Sequence, residues 1–471
     1  MTNASDIPSC VAKPDCSRIA RIRMRALIAK YDSRVPRYTS YPTAAQFEAG
    51  VTSADYRSWL SALVPAQPAS LYLHIPFCDR LCWYCGCHTG VVRRHAPITD
   101  YVETLMGEVR LIAAAAPRLA IANLHLGGGT PNILSRRDLR LLSQALRDHF
   151  MVLPDCEIAA ELDPRVLTGE WVEAAAEFGI KRVSLGVQDL SPEVQAAINR
   201  RQGYEVLAWA VAALRAAGMA SINLDLMYGL PRQTVAGALT TIDQVLALDP
   251  DRIALFGYAH VPWMKPNQKL IKEADLPDAW DRFEQQRAIA ERLEAAGYVR
   301  IGLDHFAKPG DPLALAATYR RMRRNFQGYT TDGAETIIGI GASSISHLPQ
   351  GYAQNLVAVP AWRERIVSGE LATSRGVAPS PDDRFRAEII ERLMCALTVD
   401  LREICGKHDR PLSTLSGELD RLREFEDDGL VRGDGAARLE ITPIGRPFMR
   451  TICAVFDRHL RPGSGRHASS V

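Results

Sequence analysis

Four cysteines fall within one short segment, Cys78, Cys82, Cys85 and Cys87, the first three in a CxxxCxxC spacing. Thiolates suit zinc or iron–sulfur centres, and so tight a spacing lets one loop wrap a compact metal site. Ligand count decides what such a site can do. A structural zinc ion takes four closed protein ligands, whereas three thiolates on a four-iron cluster leave one iron free to bind a small molecule. Zinc stays possible with Cys87 or His88 as fourth ligand, but zinc sites usually join two CxxC-type knuckles, and the chain has no second knuckle. A disulfide is less favoured, because nothing marks export to an oxidising compartment.

The stretch that delivers these thiols, Leu71 to Gly90, reads LYLHIPFCDRLCWYCGCHTG, an apolar strand-like run that reaches Pro76 and then the cysteines. CxxxCxxC after a first strand resembles the signature of radical S-adenosylmethionine (SAM) enzymes. YLHIPFCxxxCxYCxC is similar to a narrower branch, the oxygen-independent coproporphyrinogen III oxidases (dehydrogenases), and the resemblance runs over roughly residues 30–460.

The elements that must position this loop follow from composition and period. With 471 residues, 47% apolar and 23% charged, the chain is long enough for two or three domains. Its 56 basic and 54 acidic residues create no global field for nucleic acid or membrane, so an anionic partner needs a local patch. The start, MTNASDIPSCVAKPDC, lacks a signal-peptide core and no apolar run is long enough to span a bilayer, which reads as cytoplasmic. Cys10, Cys16, Cys156, Cys395, Cys405 and Cys453 are scattered, as expected of reduced thiols.

Residues 1–15 read as disordered and 17–30 as a basic amphipathic helix carrying Arg18, Arg21 and Arg25, for which a solvated face is the plain alternative. RYTSYPT, Arg37 to Thr43, reads as extended and resembles a stretch that approaches substrate in the oxidase branch. From 69 to 307 short apolar runs alternate with helical patterns. Strands are expected at Leu71–Pro76, Asn123–Gly127, Glu157–Leu162, Arg182–Val187, Ile222–Met227 and Ile253–Tyr258, with helices at 98–115, 135–149, 203–217 and 235–247. Period alone barely separates a doubly wound sheet from an incomplete barrel. The resemblance implies the α/β fold with a partial (βα)6 TIM-type barrel. We divide the chain into an extension (1–50), the barrel (51–370) and a mostly helical, winged-helix-like C-terminal domain (371–471). The last has helices near 383–397 and 412–428 and a hairpin turning at Gly433-Asp434-Gly435, with no basic stripe for nucleic acid. Residues 461–471 read as a disordered tail.

In such a barrel the residues just beyond each strand are the ones to read. Gly127-Gly128-Gly129-Thr130-Pro131 lets backbone approach a ligand, or is simply a tight turn into a helix. Glu161 and Gln188 close apolar runs, Arg200 follows the fourth, and Asp225 is a carboxylate within an apolar run. Singly each reads as a cap or a satisfied core group. Together, at strand ends, they read as a site. The resemblance implies SAM contacts at these residues, with Tyr72, Tyr84 and Gly86 from the cysteine loop, Gly128, Gly129 and Thr130 from the glycine run, and Ala259 and Ile345 farther on. Small residues at 338–345 equally suit tight packing. Segments 258–262, 301–306 and 324–331 have the aromatic and polar mixture of a wall for a flat macrocycle. By residue type His260 and His305 read as structural.

The resemblance further implies anaerobic oxidative decarboxylation of coproporphyrinogen III to protoporphyrinogen IX in haem biosynthesis. Cys78, Cys82 and Cys85 would hold a [4Fe-4S] cluster, and a 5′-deoxyadenosyl radical from SAM would take hydrogen from a propionate. The implied partners are that substrate, a reductant and an electron acceptor, with neither nucleic acid nor membrane, for a monomer. Arg18, Arg21, Arg25, Arg34 and Arg37 are candidate cations for the propionates, and the extension is expected to contribute substrate contacts and exclusion of water alone. Two rivals are a haem-binding relative that acts as haem chaperone, from which Cys87 in CxxxCxxCxC departs, and a haem-opening radical SAM methyltransferase. The spacing yields one direct prediction. Ala at Cys78, Cys82 or Cys85 removes bound iron and the cluster's visible absorption, while Cys87→Ser keeps both; equal iron loss in the Cys87 variant would establish four-thiolate ligation.

Overall fold

The computed structural model describes residues 14–65, 67–433 and 437–460. The first helix begins at Pro14, within the stretch expected to be disordered. Residues 1–13, the 461–471 tail, the tip of the turn at Gly433-Asp434-Gly435, and the thiols Cys10 and Cys16 lie outside what is described.

Six parallel strands form the core of the molecule: β1 (Ala69–Ile75), β2 (Ala120–Gly128), β3 (Met151–Leu162), β4 (Arg182–Gln188), β5 (Ser221–Tyr228) and β6 (Arg252–Gly257). Each pairs with the next in chain order. A doubly wound sheet reverses its strand order at a switch point. These six do not, so they curve as a barrel wall. Helices Ala96–Ala115, Arg136–His149, Tyr204–Ala216 and Val235–Leu246 lie where the period placed them, joined by Gly169–Phe178. Local chemistry sets their starts: Ser135 and Asp138 form a reciprocal capping box, and Thr234 accepts the Gly237 N–H.

The sheet is larger than expected, with twelve strands. Ile337–Ile340 runs parallel to β1 on its free side, followed by antiparallel Ile345–Leu348, Gly351–Asn355 and Thr373–Val377. Beyond β6 lie antiparallel His305–Ala307 and Val299–Ile301. With parallel neighbours on both sides and helices over its face, β1 buries Leu71, Leu73 and Ile75 completely. The barrel stays open between the Thr373–Val377 and Val299–Ile301 edges.

The C-terminal part packs helices Pro381–Ala396, Leu401–Lys407, Ser416–Asp427 and Met449–Ala454 on a three-stranded antiparallel sheet whose middle strand is Arg438–Ile441. The N-terminal helix Pro14–Tyr31 is part of the same core. Leu27, Ile28, Tyr31, Tyr38 and Tyr41 are buried with Phe385, Phe425 and Phe448. Tyr31 stacks on Phe425 at 4.6 Å between ring centroids, and its hydroxyl donates to Asp428 at 2.6 Å. The expectation that the extension adds substrate contacts alone is therefore corrected: its apolar side chains complete a core. Leu27→Ala should lower stability by about 2–5 kcal/mol through lost burial and a cavity. Chemical unfolding followed by a C-terminal probe would check this, and an unchanged midpoint would contradict a shared core.

Candidate active site

β1 ends at Ile75 and passes through Pro76 to a two-residue strand, Phe77–Cys78, which pairs in parallel with Gly90–Val91 and closes the cysteine loop at its base. The loop's interior carbonyls have no ladder of their own and need donors. Asn267 supplies its amide to the carbonyls of Cys82 (3.3 Å), Trp83 (3.0 Å) and Cys85 (3.0 Å). Gln268 donates to those of Tyr84 (2.8 Å) and Ala259 (3.1 Å). Both sit on the segment after β6, so the far end of the barrel wall fixes the loop leaving its first strand.

Each sulfur of the CxxxCxxC triad meets a donor. Thr130 Oγ1 donates to Cys78 Sγ at 3.3 Å, with Thr89 Oγ1 at 3.1 Å. Arg165 and Arg200 donate to Cys82 Sγ at 3.5 and 3.6 Å. The Cys87 N–H donates to Cys85 Sγ at 3.4 Å, and the Cys87 thiol beside it pulls the Cys85 thiol below the usual thiol range. This donor set fits thiolates bound to an iron–sulfur cluster, whose potential depends on hydrogen bonds to sulfur. Among the described residues no group of three or more His, Cys, Asp or Glu is placed to hold a single metal ion. The three cysteines instead line a cavity of about 420 Å³.

That cavity gathers the strand ends. Tyr84 and Gly86 line it from the cysteine loop, Gly128, Gly129 and Thr130 from the end of β2, and Glu161 from β3. Gln188, Arg200, Asp225 and Ala259 complete it from β4 onward. Tyr72 and Ile345 line an adjoining cavity of about 630 Å³ instead. The two cavities share Arg37, Glu161 and Met264.

Backbone geometry explains several of these positions. A β-bulge between Gly186 and Gln188 shifts the register of β4 on β5 just before their last pair, Gln188 with Leu226, and Gln188 takes the left-handed region at φ 68°. The bulge re-aims that side chain at the cost of local strain. A Cβ on Gly186 would lie 2.9 Å from the Gln188 amide and 3.1 Å from Arg200, so a larger residue there would displace the ends of both side chains. The glycine run after β2 packs hard against the cysteine loop. A Cβ on Gly129 would stand 2.5 Å from the Phe77 carbonyl oxygen, and the N–H groups of Gly129 and Thr130 donate to Ile75 and Phe77 at 2.8 Å. Close packing is thus part of what this run does. The same holds farther on, where Gly341 N–H donates to buried Glu108 at 2.7 Å.

Charges in the site are tightly arranged. Burial pushes the Asp163 carboxyl up, but the Arg165 hydrogen bond at 2.6 Å and the Arg200 charge at 3.3 Å outweigh it and hold the group below the usual carboxylate range. Glu161 accepts from the Gly128 N–H at 3.1 Å and bonds His125 at 3.2 Å; its side chain remains 41% exposed, open to both cavities. Burial and then the neighbouring Glu161 charge push Asp225 up to about 6, against hydrogen bonds from Ser184 and Asn223 at 2.7 Å.

The larger cavity is walled by the extension. Pro36, Arg37, Tyr38, Thr39 and Ser40 line it, non-helical as expected, although Tyr38 adopts φ 48° and interrupts the extended path. Asn325, Phe326 and Gln327 line the same cavity, as the macrocycle-wall reading expected, and Tyr258, Ala259 and Val261 line the smaller one. Segment 301–306 lines neither. Ile301 and Phe306 are core, and His305 is held by Asp304 at 2.7 Å between Phe256 and Tyr329. His260 bonds the Tyr258 hydroxyl at 2.8 Å. Each histidine is thus held by a neighbouring side chain. Of the candidate cations, Arg21 pairs with Glu284 at 3.0 Å, Arg25 lies over Trp280, Arg34 over Trp263, and Arg18 is exposed. Arg37 lines the cavities and the other four do not. Helix Pro14–Tyr31 uses its arginines to dock on Ala279–Ala295, a function helical spacing does not reveal.

Sequence reasoning passed over Asp163, Arg165, Asn267 and Gln268. Asp163 was findable, since ELDPR puts a second carboxylate at the same strand end as Glu161. Asn267 and Gln268 lie on an irregular segment that carries no period.

The chain matches the Radical SAM superfamily model over residues 72–245. It is 49% identical over 441 residues to an oxygen-independent coproporphyrinogen III oxidase of Bradyrhizobium diazoefficiens, covering 93% of this chain and 98% of that one. The Paracoccus denitrificans protein of the same name is 43% identical, with 93% and 97% covered. A solved coproporphyrinogen III oxidase from Escherichia coli, described as a radical SAM enzyme, superposes with a TM-score of 0.87 at 36% identity, covering 93% of this chain and 99% of that one.

The Asp163 network gives the prediction here. Asp163→Asn strands two guanidiniums beside Cys82 and should cost about 3–5 kcal/mol at neutral pH. Because the wild-type pKa is depressed, its contribution is present above the ordinary carboxylate range and lost as the pH falls through the folded-state value. The stability gap between wild type and variant, measured by chemical unfolding, therefore narrows in acid. A gap independent of pH would contradict the assignment.

Proposed function

The chain belongs to the oxygen-independent coproporphyrinogen III oxidase family of the radical SAM superfamily, and from this we propose how its two adjoining cavities divide the work. The protein is an oxidoreductase that oxidises coproporphyrinogen III without oxygen in haem biosynthesis, using a [4Fe-4S] cluster and S-adenosylmethionine. Cluster and SAM, when bound, supply a radical able to remove hydrogen from an unactivated propionate carbon. In our reading Cys78, Cys82 and Cys85 hold the cluster, the smaller cavity takes SAM, and the larger takes the macrocycle. What carries the reading is the seam: Glu161, Arg37 and Met264 line both cavities, so a ligand in one abuts a ligand in the other.

Each residue's share follows from its chemistry. Arg165, Arg200, Thr89 and Thr130 offset the negative charge of the thiolates by donating to sulfur. Gly128, Gly129 and Thr130 bring backbone to the edge of the SAM cavity. Glu161, Gln188, Arg200 and Asp225 offer it acceptors and donors, and Tyr84, Gly86 and Ala259 shape it. Tyr72 and Ile345 face the macrocycle side of the seam. Residues 36–40 and 43–45, held in place by the extension's docking on the C-terminal helices, wall the larger cavity and keep water from a reactive centre. The winged-helix-like part acts as a packing domain in this account. The protein works as a monomer with a separate reductant and electron acceptor. No described helix is long and apolar enough to cross a membrane. Neither the haem-chaperone nor the haem-opening alternative gains support from relatives that share nearly the whole chain.

Reconstituted protein given reductant, SAM, coproporphyrinogen III and an electron acceptor without oxygen should yield protoporphyrinogen IX, CO2 and 5′-deoxyadenosine. Haem should not stimulate SAM cleavage. Tight haem binding without decarboxylation would overturn the assignment.

A further inference from the structure

We propose that Arg375, acting with Arg37, is a specificity-determining residue that holds a propionate carboxylate of the macrocycle, the two arginines standing on different walls of the larger cavity. The inference rests on the functional reading above. Arg375 lies on the edge strand Thr373–Val377 and lines the larger cavity but not the smaller. Its Nε donates to Gln354 Oε1 at 2.7 Å, and Gln354, 3% exposed, is fixed in turn by donating Nε2 to the Ser343 carbonyl at 3.0 Å. A buried amide thus orients the guanidinium. Its two terminal NH2 groups make no hydrogen bond or ion pair among the described residues.

Arg37 comes from the extension, and its side chain reaches the end of β6. Its Nη2 donates to the Gly257 carbonyl at 2.7 Å, and Arg324 donates to the Arg37 carbonyl at 3.3 Å, which fixes the backbone that presents it. No described carboxylate forms an ion pair with it, and nearby Asp304 is engaged by His305 at 2.7 Å. Glu161 is the acidic residue of the larger cavity's lining; it bonds His125 and the Gly128 N–H and forms no ion pair with Arg37 or Arg375. His347, on the same lining, is pushed down to about 4 by burial and adds no charge at neutral pH. Arg37 is exposed and Arg375 half-buried, and neither has a counter-ion among the described residues, so both keep donors available to an anion. A macrocycle with several carboxylates supplies one, in the bidentate geometry a guanidinium fork prefers.

The two positions imply different duties. A carboxylate that leaves as CO2 cannot stay clamped through the reaction. Arg375, which lines the larger cavity and not the smaller, therefore holds a propionate that is retained while another reacts beside Arg37. The clamp selects macrocycles whose carboxylates match the spacing and sets which propionate meets the radical.

The test uses coproporphyrin III, the stable oxidised form with the same four propionates, and its tetramethyl ester as a neutral probe, titrated by fluorescence into wild type, Arg375→Gln and Arg375→Lys. Arg375→Gln should weaken coproporphyrin III binding by about ten- to a hundredfold, the loss of a charge-assisted hydrogen-bond pair, with partial recovery in Arg375→Lys and no change for the ester. Iron content and SAM binding should match wild type. Unchanged acid affinity in Arg375→Gln, or an equal loss for the ester, overturns the clamp. If that variant does not fold, wild type alone decides, because the clamp requires the acid to bind about tenfold or more tightly than the ester. Wild type that binds coproporphyrin III but fails to convert coproporphyrinogen III would instead count against the functional reading.

Discussion

Three sulfurs that must carry negative charge on a half-buried loop set the terms for everything around them. A thiolate taken partly out of water needs donors, and these come from parts of the chain distant in sequence: Thr130 after β2, Arg165 after β3 and Arg200 after β4. The arginines in turn repel each other and need a carboxylate between them, which Asp163 supplies. The loop's carbonyls then require Asn267 and Gln268 from beyond β6. A parallel barrel is well suited to this, because all its strands end on one side and deliver side chains to a common place.

The sequence disclosed the parts of this arrangement that have a period or a spacing. Six strands and four helices are legible to within about three residues, since long apolar runs buried on both faces are hard to mistake, except that β3 begins at Met151, six residues before the expected Glu157. The polar residues that close those runs, from Glu161 to Asp225, were legible for the same reason: a polar side chain at the end of a buried strand needs an explanation. What escaped was short or irregular. The antiparallel strands that enlarge the sheet have three to five residues each, too few for alternation to register. Asn267 and Gln268 act through amides on a segment with no pattern, and Arg375 looks like any edge-strand cation until its lack of a counter-ion is seen in space.

The basic N-terminal helix shows why a charge pattern underdetermines a role. Its arginines at helical spacing suggested an anion site, yet Arg21 pairs with Glu284 and Arg25 covers Trp280. The apolar face, which runs beside the arginine stripe, decides where the helix goes, because Leu27, Ile28 and Tyr31 gain more by burial than exposed guanidiniums do by pairing. Docking that face places the following residues, Arg37 among them, along the larger cavity. Substrate contact at this end of the chain is thus a by-product of core packing.

That docking joins residues far apart in the chain, Tyr31 to Asp428, a separation of 397 positions. Emerging early from the ribosome, the helix must wait for its partners until nearly the whole chain has been made. In the interval the six strands can already pair, each with its immediate successor, while the larger cavity lacks a wall. The larger cavity therefore gains the wall that the extension supplies only once Asp428 and its neighbours have been made.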